Sequence, residues 1–247
     1  MTKKTWLIFG ALCVAVIGGL IYLANNNKVD VSNVDLTKVQ AASSQNGNIG
    51  EHTYGNMNSK VILTEYADYQ CPGCGSSYPV IKQVVDKYKD KIGFVFRNFP
   101  LYSIHPNAFA AAAAAEAAGQ QGKFWEMHDK IYENQSAWQN LTGSERTDYF
   151  VTAAIDLGLN GDTLRTALDD ANIKKKIDFD HALGVKANVS GTPSFFIGTN
   201  NVGDKYFKDN KLVSESTDGA ALVWSDATAF ETFVIKPALQ ANGISTD

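Results

Sequence analysis

Hydrophobic and polar positions divide the chain into three unlike stretches. Trp6 to Ala24 is an unbroken apolar run of 19 residues. At about 1.5 Å per residue it nearly matches the ~30 Å hydrocarbon core of a bilayer, which predicts one transmembrane helix. A cleaved signal would carry a shorter run, of roughly 7 to 15 residues, and then small residues, whereas Tyr22 stands in that place. Lys3 and Lys4 favour a cytoplasmic amino terminus, although Lys28 and Lys38 make the bias modest. Residues 1–5 are thus expected as a cytoplasmic tail and 6–24 as an anchor. From Asn25 to Ser59 the chain is polar, rich in Asn, Ser, Gly and Gln, and without lasting apolar period, so 25–59 is predicted to be a flexible tether.

The rest alternates strand and helix patterns. Val61 to Tyr66 is apolar and β-branched, which predicts a buried strand with a turn near Asp68. Ile81, Val84, Val85 and Tyr88 recur at i, i+3, i+4 and i+7, one face of a helix. Phe94 to Phe99 predicts a second strand ending at Pro100, giving a βαβ unit. His105 to Val189 favours helix throughout, through the run Ala110 to Ala115 and the pattern Tyr149, Phe150, Ala153, Leu157. Ser194 to Ile197 returns to strand, Leu212 and Val213 suggest a hairpin, and Phe230, Phe233 and Val234 suggest a closing helix that Pro237 ends or kinks.

Composition narrows the function. With 247 residues, 45% hydrophobic and 19% charged, the chain can bury a sizeable core. Its net charge of −4, with no run of like charge, argues against nucleic acid as a partner and for recognition by local chemistry. Three cysteines cannot staple a disulfide scaffold. Cys13 lies within the apolar run, where cysteine packs as a small hydrophobe.

Cys71-Pro72-Gly73-Cys74 carries the chemistry. This spacing brings two sulfurs to one side of a helical turn, close enough for a disulfide. Pro72 suits the first helical turn, which puts Cys71 at the helix start as the exposed sulfur. There the free backbone N–H groups and the helix dipole lower a thiol pKa to between ~3.5 and ~7.5. Cys71 is therefore the candidate nucleophile and Cys74 the resolving thiol. A structural disulfide or half of a zinc site also fits an isolated CxxC, but there is no second CxxC. His52, His105, His128 and His181 lack ligand spacing and read as surface or capping residues. No metal and no cofactor is called for.

A strand, then CxxC opening a helix, and much later Gly191-Thr192-Pro193, resembles the thioredoxin superfamily. Phe96-Arg97-Asn98-Phe99-Pro100-Leu101, His105-Pro106, the alanine-rich helix and Gly122 to His128 resemble its DsbA-like branch, from about Val61 to Gln240. The resemblance implies an α/β thioredoxin fold over 60–104 and 190–247, with an all-helical domain inserted at 105–189. It implies that Pro193 is a cis-proline facing the cysteines, and that Thr192 offers backbone groups to a substrate segment beside Pro72 and Gly73. It also implies that Glu65, six residues before Cys71, is a buried acid assisting proton transfer at the inner cysteine. The best-known oxidant of the branch has histidine where this chain has Gly73, which removes one donor to the thiolate.

The expected activity is that of a thiol:disulfide oxidoreductase introducing disulfides into exported proteins. It would face the extracytoplasmic side of the cell membrane and be recycled by a membrane redox partner. Reduction or isomerisation of disulfides is the alternative within the class. A non-catalytic peptide-binding module is the alternative outside it.

Overall fold

A computed structural model describes residues 3–26 and 29–246. Lys3–Asn26 forms one helix, α1. Side chains at positions 3, 4, 7, 8, 11 and 20–26 lie outside the described set, as do residues 1 and 2 of the expected cytoplasmic tail. Among the described residues no helix is long and apolar enough to cross a membrane. The expected transmembrane span is thus not borne out, and it returns below only as a proposal.

A five-stranded sheet forms the centre, in the order β1-β3-β2-β4-β5. Its strands are β1 (His52–Gly55), β2 (Ile62–Ala67), β3 (Gly93–Asn98), β4 (Ser194–Ile197) and β5 (Asn200–Asn201). β2 and β3 run parallel, joined by helix α2 (Pro72–Tyr88), as the βαβ pattern predicts. β1 and β4 add antiparallel on either side of that pair.

Alternation sorts the side chains onto two faces. Glu65 is level with Phe96 on β3 and Phe195 on β4, and this row faces α2. Tyr66 points the other way. There it packs with Phe99, Phe196 and, from helix α8 (Ala171–Lys186), Phe179 and Leu183.

Over residues 29–59 the structure corrects the tether expected at 25–59; residues 27 and 28 lie outside the described set. Val31 is buried in the cluster around Tyr66, with Val29, Val34 and Leu36 against it. Lys186 Nζ donates to the carbonyl oxygens of Val31, Ser32 and Val34 at 2.9, 2.7 and 2.7 Å. The buried Arg97 guanidinium donates to Glu51 Oε1 at 2.5 Å and to Tyr66 Oη at 2.6 Å. His52–Gly55 is a sheet strand. The segment is a strap whose backbone polar groups find partners in the domain, an arrangement with no period in its own sequence.

Between β3 and β4 stand α3 (Ala108–Gln120), α4 (Phe124–Glu133), α5 (Gln135–Trp138), α6 (Gly143–Asp156), α7 (Gly161–Ala167) and α8. The alanines of α3 are almost all buried, and their small side chains let neighbouring helices approach closely. Buried polar groups tie this layer to the sheet. Glu116 accepts from Asn98 Nδ2 at 2.7 Å and pairs with His52 Nε2 at 2.7 Å. Lys176 donates to Asp180 at 2.5 Å, and Asp180 accepts from the Asn98 backbone N–H at 3.2 Å.

The suggested hairpin is real but belongs to a second sheet, of β6 (Tyr206–Lys208), β7 (Lys211–Val213) and β8 (Ala221–Leu222). Its turn uses Asp209 and Asn210, both at positive φ, as two-residue hairpin turns require. Pro237 does not end the closing helix. After α9 (Ala227–Phe230) the backbone widens into a π turn over Glu231–Ile235 and resumes as α10 (Lys236–Ala241), with Pro237 in the first turn. The widened turn accommodates the proline, and the Phe233 carbonyl four residues before it accepts from Lys205 Nζ at 3.0 Å.

Candidate active site

The sheet register assembles the site. β2 ends at Ala67, and a turn through Asp68 leads to Cys71 at the start of α2. Because Tyr66 pairs with Ser194 in an antiparallel ladder, Pro193 comes level with Ala67 and so reaches the same turn. The Thr192–Pro193 bond is cis. Cys71 Sγ lies 3.3 Å from the Thr192 carbonyl oxygen. A Cβ at Gly73 would lie 3.3 Å from Pro193 Cδ and 3.5 Å from that carbonyl oxygen, so position 73 borders the approach to Cys71 and a side chain there would contact Pro193.

Cys71, Cys74, Pro72, Gly73, Thr192 and Pro193 therefore converge, although 121 residues separate Cys71 from Thr192. One expectation needs correction. Cys71 is the more accessible sulfur, yet only 8% of the residue is exposed, against none of Cys74. The segment carrying Thr192 covers it.

Both cysteines are free thiols with opposite tendencies. Cys71 occupies the N-cap of α2 with Pro72 in the first turn. Hydrogen bonding from the Cys74 thiol, aided by the backbone N–H groups of Cys74 and Gly73, lowers its pKa to about 5 despite burial. Burial, and then the Cys71 sulfur, push Cys74 well above the ordinary thiol range. The Asp68 backbone N–H donates to Cys74 Sγ at 3.5 Å. One sulfur is thus held as a thiolate and the other as a thiol.

Glu65 lies beneath the site, within electrostatic reach of Cys74. Burial between apolar neighbours raises its carboxyl to about 8.

Several supporting residues went unnoticed in the sequence. Gln135, opening α5, donates through Nε2 to the carbonyls of Tyr69 at 2.8 Å and Cys71 at 2.9 Å. Gln70 accepts from the Asn107 N–H at 2.6 Å and donates to the Gln139 carbonyl at 2.8 Å. Asp68 accepts from the N–H groups of Gln70 and Leu101, at 2.7 and 2.8 Å, and pairs with His105 Nδ1 at 2.7 Å. The Asx turn of Asp68 onto Gln70 had a local signal in its residue type. The glutamines had none, since their partners lie more than 30 positions away.

The histidines differ from their expected surface roles. His52 pairs with buried Glu116, His128 is 5% exposed, and His181 stacks on Phe99 with ring centroids 4.4 Å apart. Among the described residues no group of His, Cys, Asp or Glu could hold a metal ion.

A thiolate-bearing N-cap, a buried second thiol and a facing cis-proline, on a βαβ-centred sheet with a helical insertion, define a thioredoxin-like protein. The family model described as Thioredoxin matches residues 47–213, more than half of the chain, and the chain belongs to that family. BdbD from Bacillus subtilis, in its oxidised crystal form, is 18% identical and aligns over 83% of this chain and 97% of its own, with a TM-score of 0.58. The thiol-disulfide exchange protein α-DsbA2 from Wolbachia pipientis is 24% identical over 61% of this chain and 77% of its own, with a TM-score of 0.52. At such identities the likeness is one of fold. The Na+/H+ antiporter NhaA 3 of Salinispora tropica is 36% identical over 147 residues, which is 60% of this chain. The match spans only 21% of that antiporter.

Proposed function

We propose that this chain is a thiol:disulfide oxidoreductase that introduces disulfide bonds into exported proteins. The observation that carries the reading is the asymmetry of the two sulfurs, with Cys71 lowered to about 5 and Cys74 raised. In the oxidised enzyme a substrate thiolate attacks Cys71 Sγ, the Cys71–Cys74 bond breaks, and Cys74 leaves with the electron pair and takes up a proton. A second substrate thiolate then attacks the mixed disulfide and displaces Cys71 as a thiolate. Two electrons pass from substrate to enzyme and one disulfide moves the other way. A stable Cys71 thiolate is a good leaving group and favours the reduced enzyme, which makes its disulfide an oxidant.

In this reading Thr192 and Pro193, with Pro72 and Gly73, hold the substrate segment beside Cys71, and Glu65 exchanges protons with Cys74. Residues 6–24 anchor the chain in the cell membrane with 1–5 on the cytoplasmic side. The catalytic domain faces outward, where thiol-bearing exported proteins arrive and a membrane redox partner reoxidises the pair.

The test supplies the oxidised full chain to a reduced, unfolded protein with paired cysteines and counts thiols. Consumption of two thiols per chain supports the oxidase. Preferential reduction of a substrate disulfide by the dithiol form supports the reductase, and no exchange in either direction supports a peptide-binding module. Resistance of the chain to alkaline extraction from membranes tests the anchor.

A further inference from the structure

We propose that His128, on the helical insertion, is a proton-relay residue of this reaction, passing protons between Glu65, which serves the buried Cys74, and solvent through the cavity between α2 and α4. The proposal rests on the oxidoreductase reading above and extends its site.

Both Cys74 and Glu65 are almost without exposure. A proton taken up or lost by Cys74 therefore needs a route beyond Glu65. The cavity provides one. It measures ≈ 50 Å³ and is lined inside by Glu65, Tyr78, His128 and Tyr132, and toward solvent by Lys82 and Asp129. One water needs roughly 10–15 Å³ by this measure, so a short file of waters fits.

The lining is unusually rich in polar atoms without protein partners. His128 Nε2 and Tyr132 Oη are buried and accept or donate no hydrogen bond, as is Tyr69 Oη behind them. Each such atom is unfavourable if left dry. Three together mark a place where water or a proton is handled.

The other ring nitrogen of His128 completes the route. Nδ1 lies 3.1 Å from Asp129 Oδ1, and Asp129 also accepts from Lys82 Nζ at 2.8 Å. With Nδ1–H donated to Asp129, Nε2 carries the lone pair inside the cavity. The groups facing the ring are Asp129 and Tyr132 on its own helix, Tyr78 and Lys82 on α2, Glu65 on β2, His52 on β1 and Tyr69 in the active-site turn. Burial holds the imidazole below its ordinary value, against the pull of Asp129. At neutral pH it is a free base.

The proton balance is simple. When Cys74 leaves as a thiolate it takes the Glu65 proton, and the Glu65 carboxylate regains one from solvent by way of water and His128. When Cys74 attacks a mixed disulfide, the same proton travels outward.

The test follows the reduced full chain reacting with oxidised glutathione by rapid quench and alkylation. Its first phase is attack by the Cys71 thiolate. Its second is resolution of the Cys71–glutathione disulfide by Cys74, which must lose a proton. His128→Phe is expected to leave the first phase unchanged and to slow the second on the order of tenfold at pH 7, with its pH profile displaced. That is less than the ~100-fold of a directly acting acid or base, because water bypasses a relay. His128→Gln, which keeps polarity without titrating, should behave alike and guards against misfolding of the first variant. A second phase with unaltered rate and pH profile, or both phases slowed equally in both variants, would overturn the relay. A wild-type chain that performs no exchange would overturn the parent reading and the relay with it.

Discussion

The reduction potential of the Cys71–Cys74 pair should carry a particular dependence on pH. Cys71 ionises at about 5 and Cys74 well above the ordinary thiol value. Between those limits, reduction of the disulfide takes up one proton for two electrons, so the potential should fall by ~30 mV per pH unit. Below about pH 5 the Cys71 thiolate is protonated as well, and the slope should steepen to ~59 mV per unit. At pH 7, lowering Cys71 from 9.0 to about 5 favours the reduced state about 100-fold over a site with an ordinary thiol. That is ~2.7 kcal/mol, or ~60 mV toward a stronger oxidant. The sign agrees with folding linkage. A folded-state pKa below the unfolded one stabilises the reduced chain fully above pH 9, and the gain is lost as pH falls through about 5. The assay equilibrates the chain with glutathione buffers from pH 4.5 to 8.5 and traps free thiols with an alkylating agent. A slope of ~59 mV per unit persisting through pH 7 would refute the reasoning, because Cys71 would then be an ordinary thiol.

Other perturbations follow from the same geometry. Cys74→Ser should leave Cys71 reactive but trap its mixed disulfides, detectable by mass spectrometry, while Cys71→Ser should abolish exchange. Glu65→Gln should stabilise the fold at pH 7 by about 3 kcal/mol in urea titrations, since ~2.5 pH units lie between the unfolded value and pH 7. The wild-type carboxyl, raised to about 8, weakens the fold progressively as pH climbs from ~4.5 to 8, and the gain should vanish below ~4.5. Gln135→Ala removes two hydrogen bonds to the active-site turn and should cost roughly 1–3 kcal/mol. Arg97→Met would strand buried Glu51 and cost about 3–5 kcal/mol, with proteolysis between residues 29 and 51 accelerated as the strap loosens.

Much of the architecture could be read from periodicity alone. Alternation and β-branching marked β2, β3 and β4, and the spacing Ile81, Val84, Val85, Tyr88 marked α2, because those segments bury one continuous face. The CxxC at a helix start named the reactive pair, since cysteine spacing and a first-turn proline are local facts. The strap was not legible. Its apolar residues Val29, Val31, Val34 and Leu36 follow no repeat and are buried only because α8 and the far face of the sheet receive them. Gln70 and Gln135 carried no local sign either, for their partners come from distant elements.

What the sequence determined by itself was the set of elements and the identity of the chemical groups, both of which depend on neighbours within a few residues. What only the tertiary structure decided was their environment. The β2–β4 register set Thr192 and Pro193 over Cys71. Burial between Phe96 and Phe195 raised Glu65, and the docking of α4 brought His128 to the same cavity. A pKa depends on solvent exclusion and on charges arriving from elsewhere in the chain, and neither exists until the layers have packed.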